Sequence, residues 1–321
     1  MRDIQTAKTA LGSASYDPRR LILIHAGVTC ALSLLLAVLD FFLAQGIGST
    51  GGLSGMGTRA AINTARTVLG YSQSIFTPFW SAGYIYCTLS IARNAPARPY
   101  SLWQGFRLWR PVLTVSLLVP LFCSLVSVGV FLAVTQLLTF TPLIAPVAEL
   151  VLPYLSSDPA SVSEAMAIMD DATALAITKA MLPLMITAFL ITALVVLLYS
   201  YRYRLALLRA LDVPQQGGRA AMWVSRILMR GNKKALFLLD LRFWWYYLLS
   251  TLLGVIPFGD LILPMLGVNL PWNQDVMYFI FFIVYLLCEL ILAVTARNTV
   301  FVSYAAFYDR LAAEYDNNEK G

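Results

Sequence analysis

Apolar residues along this chain gather in long runs separated by short charged or glycine- and proline-containing segments. A bilayer core about 30 Å thick takes roughly 20 consecutive apolar residues per helix. The runs near 21–43, 67–91, 111–140, 182–201, 235–256 and 276–296 meet that length. The pattern predicts an all-α fold: a polytopic transmembrane helix bundle of about six spans, with short interfacial amphipathic helices, in a single integral membrane domain 1–321.

The connections differ in kind. After the first span, QGIGSTGGLSGMG is too glycine-rich to pack as an element and reads as a loop. The second span contains Pro78 and many aromatics and ends at Arg93, Pro96 and Arg98. Residues 100–111 mix Tyr100, Trp103, Phe106 and Trp109 with Arg107 and Arg110, the composition of a short helix lying flat in the headgroup layer. Pro120 predicts a kink in span three. Residues 141–181 read as an acidic extracytoplasmic loop carrying Glu149, Asp158, Glu164, Asp170 and Asp171, and residues 202–234 as a basic cytoplasmic connection interrupted at Pro214 and Gly217. The three prolines and two glycines of PFGDLILPMLGVNLP predict a break or re-entrant turn after span five. The stretch NTVFVSYAAFYDRL reads as an interfacial extension of span six.

Basic residues decide the orientation, because cytoplasmic segments carry the excess of Lys and Arg. The amino-terminal segment has four, the connection after span two has four, the one after span four has eight and the tail has three, while the other side has only Arg59, Arg66 and Lys179. Both termini are therefore expected in the cytoplasm, which requires an even number of spans. Leu102, Gly105 and Arg107 match Leu228, Gly231 and Lys233 in spacing, compatible either with a parallel duplication or with chance.

Composition agrees with this picture. Of 321 residues, 59% are hydrophobic and only 12% charged, with a mean hydropathy of +0.72, far more apolar side chain than a soluble domain needs. The net charge of +6 does not point to nucleic acid, because the basic residues lie just beyond the ends of apolar runs and form no stripe with interleaved aromatics. Cys30, Cys87, Cys123 and Cys288 all fall inside apolar runs and read as small packing residues. Both charge signs in the first twenty residues and a first run of full span length argue against a cleaved signal peptide.

The strings YSYRYRLALLRALDVP (199–214), SRILMRGNKKALFLLDLRFWWYYLL (225–249) and SYAAFYDRL (303–311) resemble an uncharacterised family of bacterial integral membrane proteins, domain of unknown function 975. Ser225, Met229, Gly231, Lys233, Leu236, Phe237, Phe243, Trp245, Phe307 and Tyr308 stand where that family's pattern would place them, although its usual Pro-Tyr before the closing motif is Asn298-Thr299 here. The resemblance implies a multi-span fold and a bacterial origin, and no activity.

Candidate chemistry is sparse. An ionisable group at the bilayer centre costs at least about 2.5 kcal/mol, so such groups face a bundle interior, a cavity or each other. The candidates are His25, Asp40, Asp240, Arg242 and Glu289. Asp40 and Glu289 are not expected to meet. Asp240 and Arg242, two residues apart on a helix, project in different directions, and Arg242 is expected to snorkel beside the aromatic cluster Trp244 to Tyr247. Glu289 reads either as a proton or cation site or as a buried hydrogen bond that fixes helix packing. Gly46, Gly48 and Gly51 match the dinucleotide fingerprint in letters only, without its strand and helix. No zinc-protease or nucleophile-elbow motif occurs, and no acid, base and nucleophile converge, so neither enzyme activity nor a cofactor nor a metal is expected.

These features favour a non-enzymatic membrane component that works through interaction, assembly or structure, with the lipid bilayer and a protein at the cytoplasmic face as partners. Its candidate contact surface is Arg219, Arg226, Arg230, Lys233 and Lys234. The alternative is a small-solute or ion transporter using the intramembrane carboxylates. A third reading, a lipid-handling protein, rests on the segment near Trp103 and Trp109.

Overall fold

The computed structural model describes residues 2–14, 17–49, 56–141, 144–155, 171–259, 262 and 274–318. Helix α1 (Arg2–Ser13) precedes α2 (Pro18–Ser49) and α3 (Met56–Ala92). A 3₁₀ turn (Pro99–Trp103) and the single-turn α4 (Gln104–Arg107) lead into α5 (Trp109–Leu138). Then come α6 (Ala145–Leu155), α7 (Asp171–Ser200), α8 (Ala206–Asp212) and α9 (Gly217–Leu228). The chain continues as α10 (Lys233–Arg242), α11 (Trp244–Leu253) and α12 (Gln274–Leu292), and a π turn (Ala293–Arg297) joins α12 to α13 (Asn298–Asn318). No strand occurs among the described residues.

Four helical stretches are long and apolar enough to cross a membrane: Pro18–Leu43, Trp109–Leu138, Ala176–Asp212 and Val276–Asn317. A fifth exists if the bent pair Lys233–Arg242 and Trp244–Phe258 counts as one span. On α5, Leu117, Leu121, Leu125, Val128 and Leu132 recur every three or four residues, and each is more than half exposed. Such a stripe is unfavourable in water and at no disadvantage against acyl chains. The chain is an all-α membrane protein of four or five spans by this measure, where the sequence predicts six.

Contacts divide the chain into two units, Met1–Ser116 with Leu205–Gly321, and Leu117–Arg204. In the first, α2 begins where the Asp17 carboxylate accepts the Arg19 backbone N–H at 2.9 Å, with Pro18 opening the helix. Asp40 meets Arg66, Ser33 meets Gln73, His25 meets Trp80, and Ser13 of α1 meets Asn94 just beyond α3. That register makes α2 and α3 an antiparallel pair. The α12–α13 rod also runs antiparallel to α2, since Phe41 packs on Phe279 and Asn298 donates to the Pro18 carbonyl at 2.9 Å. The turn and α4 lie directly on α3: a Cβ on Gly83 would fall 1.7 Å from the Leu102 carbonyl oxygen, and one on Gly105 1.9 Å from the Phe79 carbonyl oxygen. In the second unit, Leu138, Leu184 and Ala188 form a small apolar core closed by Phe131, Val134 and Ile144.

Several connections turn out to be structure. The segment 141–181 contains α6, an apolar helix with Val147 buried, and α7 already begins at Asp171; Asp158, Glu164 and Asp170 lie outside the described residues. The segment 202–234 folds as α8 and α9, with Ala206, Leu208, Leu211, Met222 and Leu228 buried, because its apolar residues recur at helical spacing on one face. Pro214 and Gly217 do interrupt it, Gly217 at φ +74°. The carboxy-terminal stretch is packed into the protein: Val300, Val302, Ser303, Ala305, Phe307, Tyr308, Leu311 and Ala312 of α13 are buried. Small and apolar side chains on several faces let α13 pack against α1 and α3 together. The helix pair at the expected span five bends by 61° at Phe243, without a proline, where the Phe243 N–H turns back to the Asp240 carbonyl at 3.0 Å. Helix α5 runs through Pro120 uninterrupted, and α2 continues past Leu43 through Gly46 and Gly48 to Ser49, so the glycine-rich loop is shorter than expected. Most of 257–271, and residues 50–55 with Gly51, lie outside the described residues.

Candidate functional site

A network of polar groups lies at the π turn. Arg297 is ion-paired with Glu289, and its Nε donates to the Tyr246 hydroxyl at 3.2 Å. The two charged side chains are only 17% and 20% exposed, so the protein itself covers most of both. One residue on, Asn298 accepts from the Tyr84 hydroxyl at 2.7 Å. His25 is stacked between Trp80 and Tyr84, with ring centroids 5.7 and 4.6 Å away, and neither of its ring nitrogens has a hydrogen-bond partner among the described residues. A second chain of groups lies on the bent helix, where Tyr304 donates to Asp240 and the Tyr247 and Tyr304 hydroxyls stand 2.6 Å apart.

Asp40 has its own partner. Arg66 forms a two-pronged bond to it, Nε to Oδ1 at 2.6 Å and Nη2 to Oδ2 at 2.8 Å, the fork geometry that makes Arg–carboxylate pairs strong. This pair lines a crevice of about 310 Å³ together with Ser33, Gln73, Tyr278 and Tyr285. A second crevice, about 620 Å³, opens at the other end of α2 beside Gly12, Asp17, Pro18, Asn298 and Thr299. Asp40, Asp240 and Glu289 thus occupy three separate helix contacts. Arg242 is exposed at the end of α10, and the aromatic cluster splits: Tyr246 and Tyr247 turn inward to Arg297 and Tyr304, while Trp244 and Trp245 stay exposed.

A third network lies just beyond the carboxy-terminal end of α3. Arg93 bonds Asp212 at 2.6 Å and Asp309 at 2.7 Å, Tyr308 donates to Asp212 at 2.7 Å, and Arg310 pairs with Asp3 at 3.2 Å. The hydrogen bond to Asp212 raises the Arg93 guanidinium above its ordinary pKa against the opposing effect of burial, and Asp309 adds to it. Together these bonds tie α1, α3, α8 and α13. No sequence spacing announces them, since the partners are 119 and 216 residues apart.

Arg219, Arg226, Arg230, Lys233 and Lys234 are all exposed, and none of them is ion-paired among the described residues. The matched glycines of the suspected repeat do unlike jobs: Gly105 is wedged against α3, whereas Gly231 serves a turn at φ +87° with open space around it. Among the described residues no group of three or more His, Cys, Asp or Glu side chains could hold a metal ion. No family model, no curated protein and no solved structure matches this chain.

Proposed function

We propose that the chain is a non-enzymatic, multi-pass component of a bacterial cytoplasmic membrane, with both termini inside, acting through the basic face that follows its fourth span. One observation carries this reading. Every intramembrane carboxylate singled out from the sequence is already bound by a neighbour at its own helix contact, whereas the five cations of the basic face are exposed and without ion-pair partners among the described residues. The charge within the apolar runs is already paired, and the outward chemistry is left to the cations. The resemblance of 199–311 to domain of unknown function 975 supports the bacterial membrane setting and lends no activity.

Six crossings fit this reading once α3 is included. Helix α3 accompanies α2 from Asp40–Arg66 to Ser13–Asn94, so a membrane that α2 crosses holds α3 as well. Much of its polarity needs no water: Thr77 and Ser74 donate to carbonyls four residues back, Thr88 to one three back, and Arg66 and Gln73 bond Asp40 and Ser33 of α2. The test is purification in gentle detergent of the wild type and of a variant with Arg219, Arg226 and Arg230 changed to Gln. Material that accompanies the wild type and is lost with the variant is the expected result. A wild type that carries nothing, or a variant that carries the same, overturns the reading.

A second reading, a small-solute or ion carrier, is favoured by the crevices near Tyr285 and near Asn298, which flank the Glu289–Arg297 pair along α12 and α13. It expects solute or proton flux in proteoliposomes that Glu289→Gln abolishes. Flux unchanged by that substitution, or absent for every gradient tried, rules it out.

A further inference from the structure

Helix α9 is amphipathic, and its exposed face is a basic stripe with an interleaved indole, which the placement of basic residues beyond the ends of apolar runs does not lead one to expect. Gly218, Ala221, Met222, Val224, Ser225 and Leu228 are buried, while Arg219, Trp223, Arg226 and Arg230 are exposed at spacings of four, three and four, a single stripe on a helix and the turn after it. Trp223 is 58% exposed at the centre of that stripe. A second segment carries the same chemistry, with Trp103, Arg107, Trp109 and Arg110 all exposed and the Arg110 guanidinium 5.3 Å from the Trp109 ring centre. The fold joins the two. A Cβ on Gly218 would fall 2.6 Å from Thr114 Cβ and 2.9 Å from the Pro111 carbonyl oxygen, so α9 starts against the first turn of α5, with Arg219 and Arg110 each next in sequence to that contact.

We infer that these two segments form one binding surface for anionic phospholipid headgroups, a reading that names the partner of the basic face proposed above and rests on that proposal. Charge is the first reason. No Asp or Glu occurs between Asp40 and Glu149 or between Asp212 and Asp240, so neither segment carries a countercharge, and the nearest carboxylate in sequence, Asp212, is occupied by Arg93 and Tyr308. Depth is the second. Trp109 opens the apolar α5, and Lys233 opens the bent helix pair that together is long and apolar enough to cross a membrane, both with exposed apolar side chains, which puts the arginines and indoles at the level of the headgroups. Phosphate oxygens there accept from several guanidinium N–H groups at once, and an indole sits with its ring among acyl chains and its N–H toward the headgroup. A soluble protein would have to reach the same surface within the headgroup layer.

The experiment uses the full chain in bilayers of zwitterionic phosphatidylcholine that contain brominated lipid with either a phosphatidylglycerol or a phosphatidylcholine headgroup, with tryptophan quenching as readout. The wild type should favour the anionic lipid by about tenfold or more, and the preference should shrink at high salt. Changing Arg219, Arg226 and Arg230 to Gln should bring it near unity, whereas changing the exposed Lys8, Arg19 and Arg20 to Gln should leave it, with circular dichroism showing all three proteins equally helical. Equal quenching by both lipids in the wild type overturns the inference, as does a preference that both triple variants reduce alike. If a protein accompanies the wild type through these arginines while the bilayers show no headgroup preference, the lipid inference falls and the contact-surface proposal stands.

Discussion

Glu289 and Arg297 are eight residues apart, a separation that sets two side chains about 80° apart around a regular α-helix of 3.6 residues per turn. The π turn Ala293–Arg297 absorbs one residue, so eight positions behave as seven, about two turns, and both side chains reach one face. Arginine's side chain also leans toward the helix amino terminus, in the direction of Glu289. Glu289 stands out in the sequence because apolar residues flank it; its partner does not, because Arg297 reads as the first cation of the tail. Breaking such a pair leaves an uncompensated charge, at a cost of about 3–5 kcal/mol. Arg297→Met should therefore lower the thermal midpoint in detergent more than the double variant with Glu289→Gln does, and additive effects in that cycle would show that the two groups are not coupled. Asp240 was legible as an intramembrane carboxylate, but its partner Tyr304, 64 residues away, was not.

Helices respond to insertion and deletion according to whether they hold spare turn. Deleting the exposed Thr295 from the π turn should leave a regular α-helix with α13 still facing its neighbours, and the protein should purify folded with its helical signal intact. Inserting an alanine between Val300 and Phe301 should rotate the rest of α13 by about 100° and prevent recovery of folded protein, because that helix is buried on several sides. Glycines divide the same way. Gly83→Ala meets the Leu102 backbone and should destabilise by about 3 kcal/mol, while Gly70→Ala on the same helix meets nothing within 4 Å and should be neutral or stabilising; chemical denaturation in detergent compares them. Segments 202–234 and 298–311 read as a connection and an extension because charged residues interrupt their apolar positions. Once Arg93 pairs with Asp212 and Asp309, those charges no longer hold the segments in water.

Across the molecule, the topology is open to a direct test. Cysteines introduced at Ala165 and Ala220 should react with membrane-impermeant reagent from opposite sides of the membrane; labelling of both from one side would overturn the proposed six-span arrangement. What the sequence determined by itself is the class of the fold and the places where apolar helices run, because lipid demands about 20 apolar residues and satisfied backbone wherever a chain crosses it, and that demand is local. It also marked the unusual residues, since a charge in an apolar run is visible without coordinates. Which charges meet was decided only by tertiary structure: Asp40 with Arg66, Glu289 with Arg297, Asp212 with Arg93 and the stripe of α9 beside the start of α5 depend on helix register and on glycine-thin contacts between segments far apart in the chain. The physical reason is range. Hydrophobic length is a property of consecutive residues, whereas pairing of buried polar groups is a property of the packed neighbours that exclude water from them.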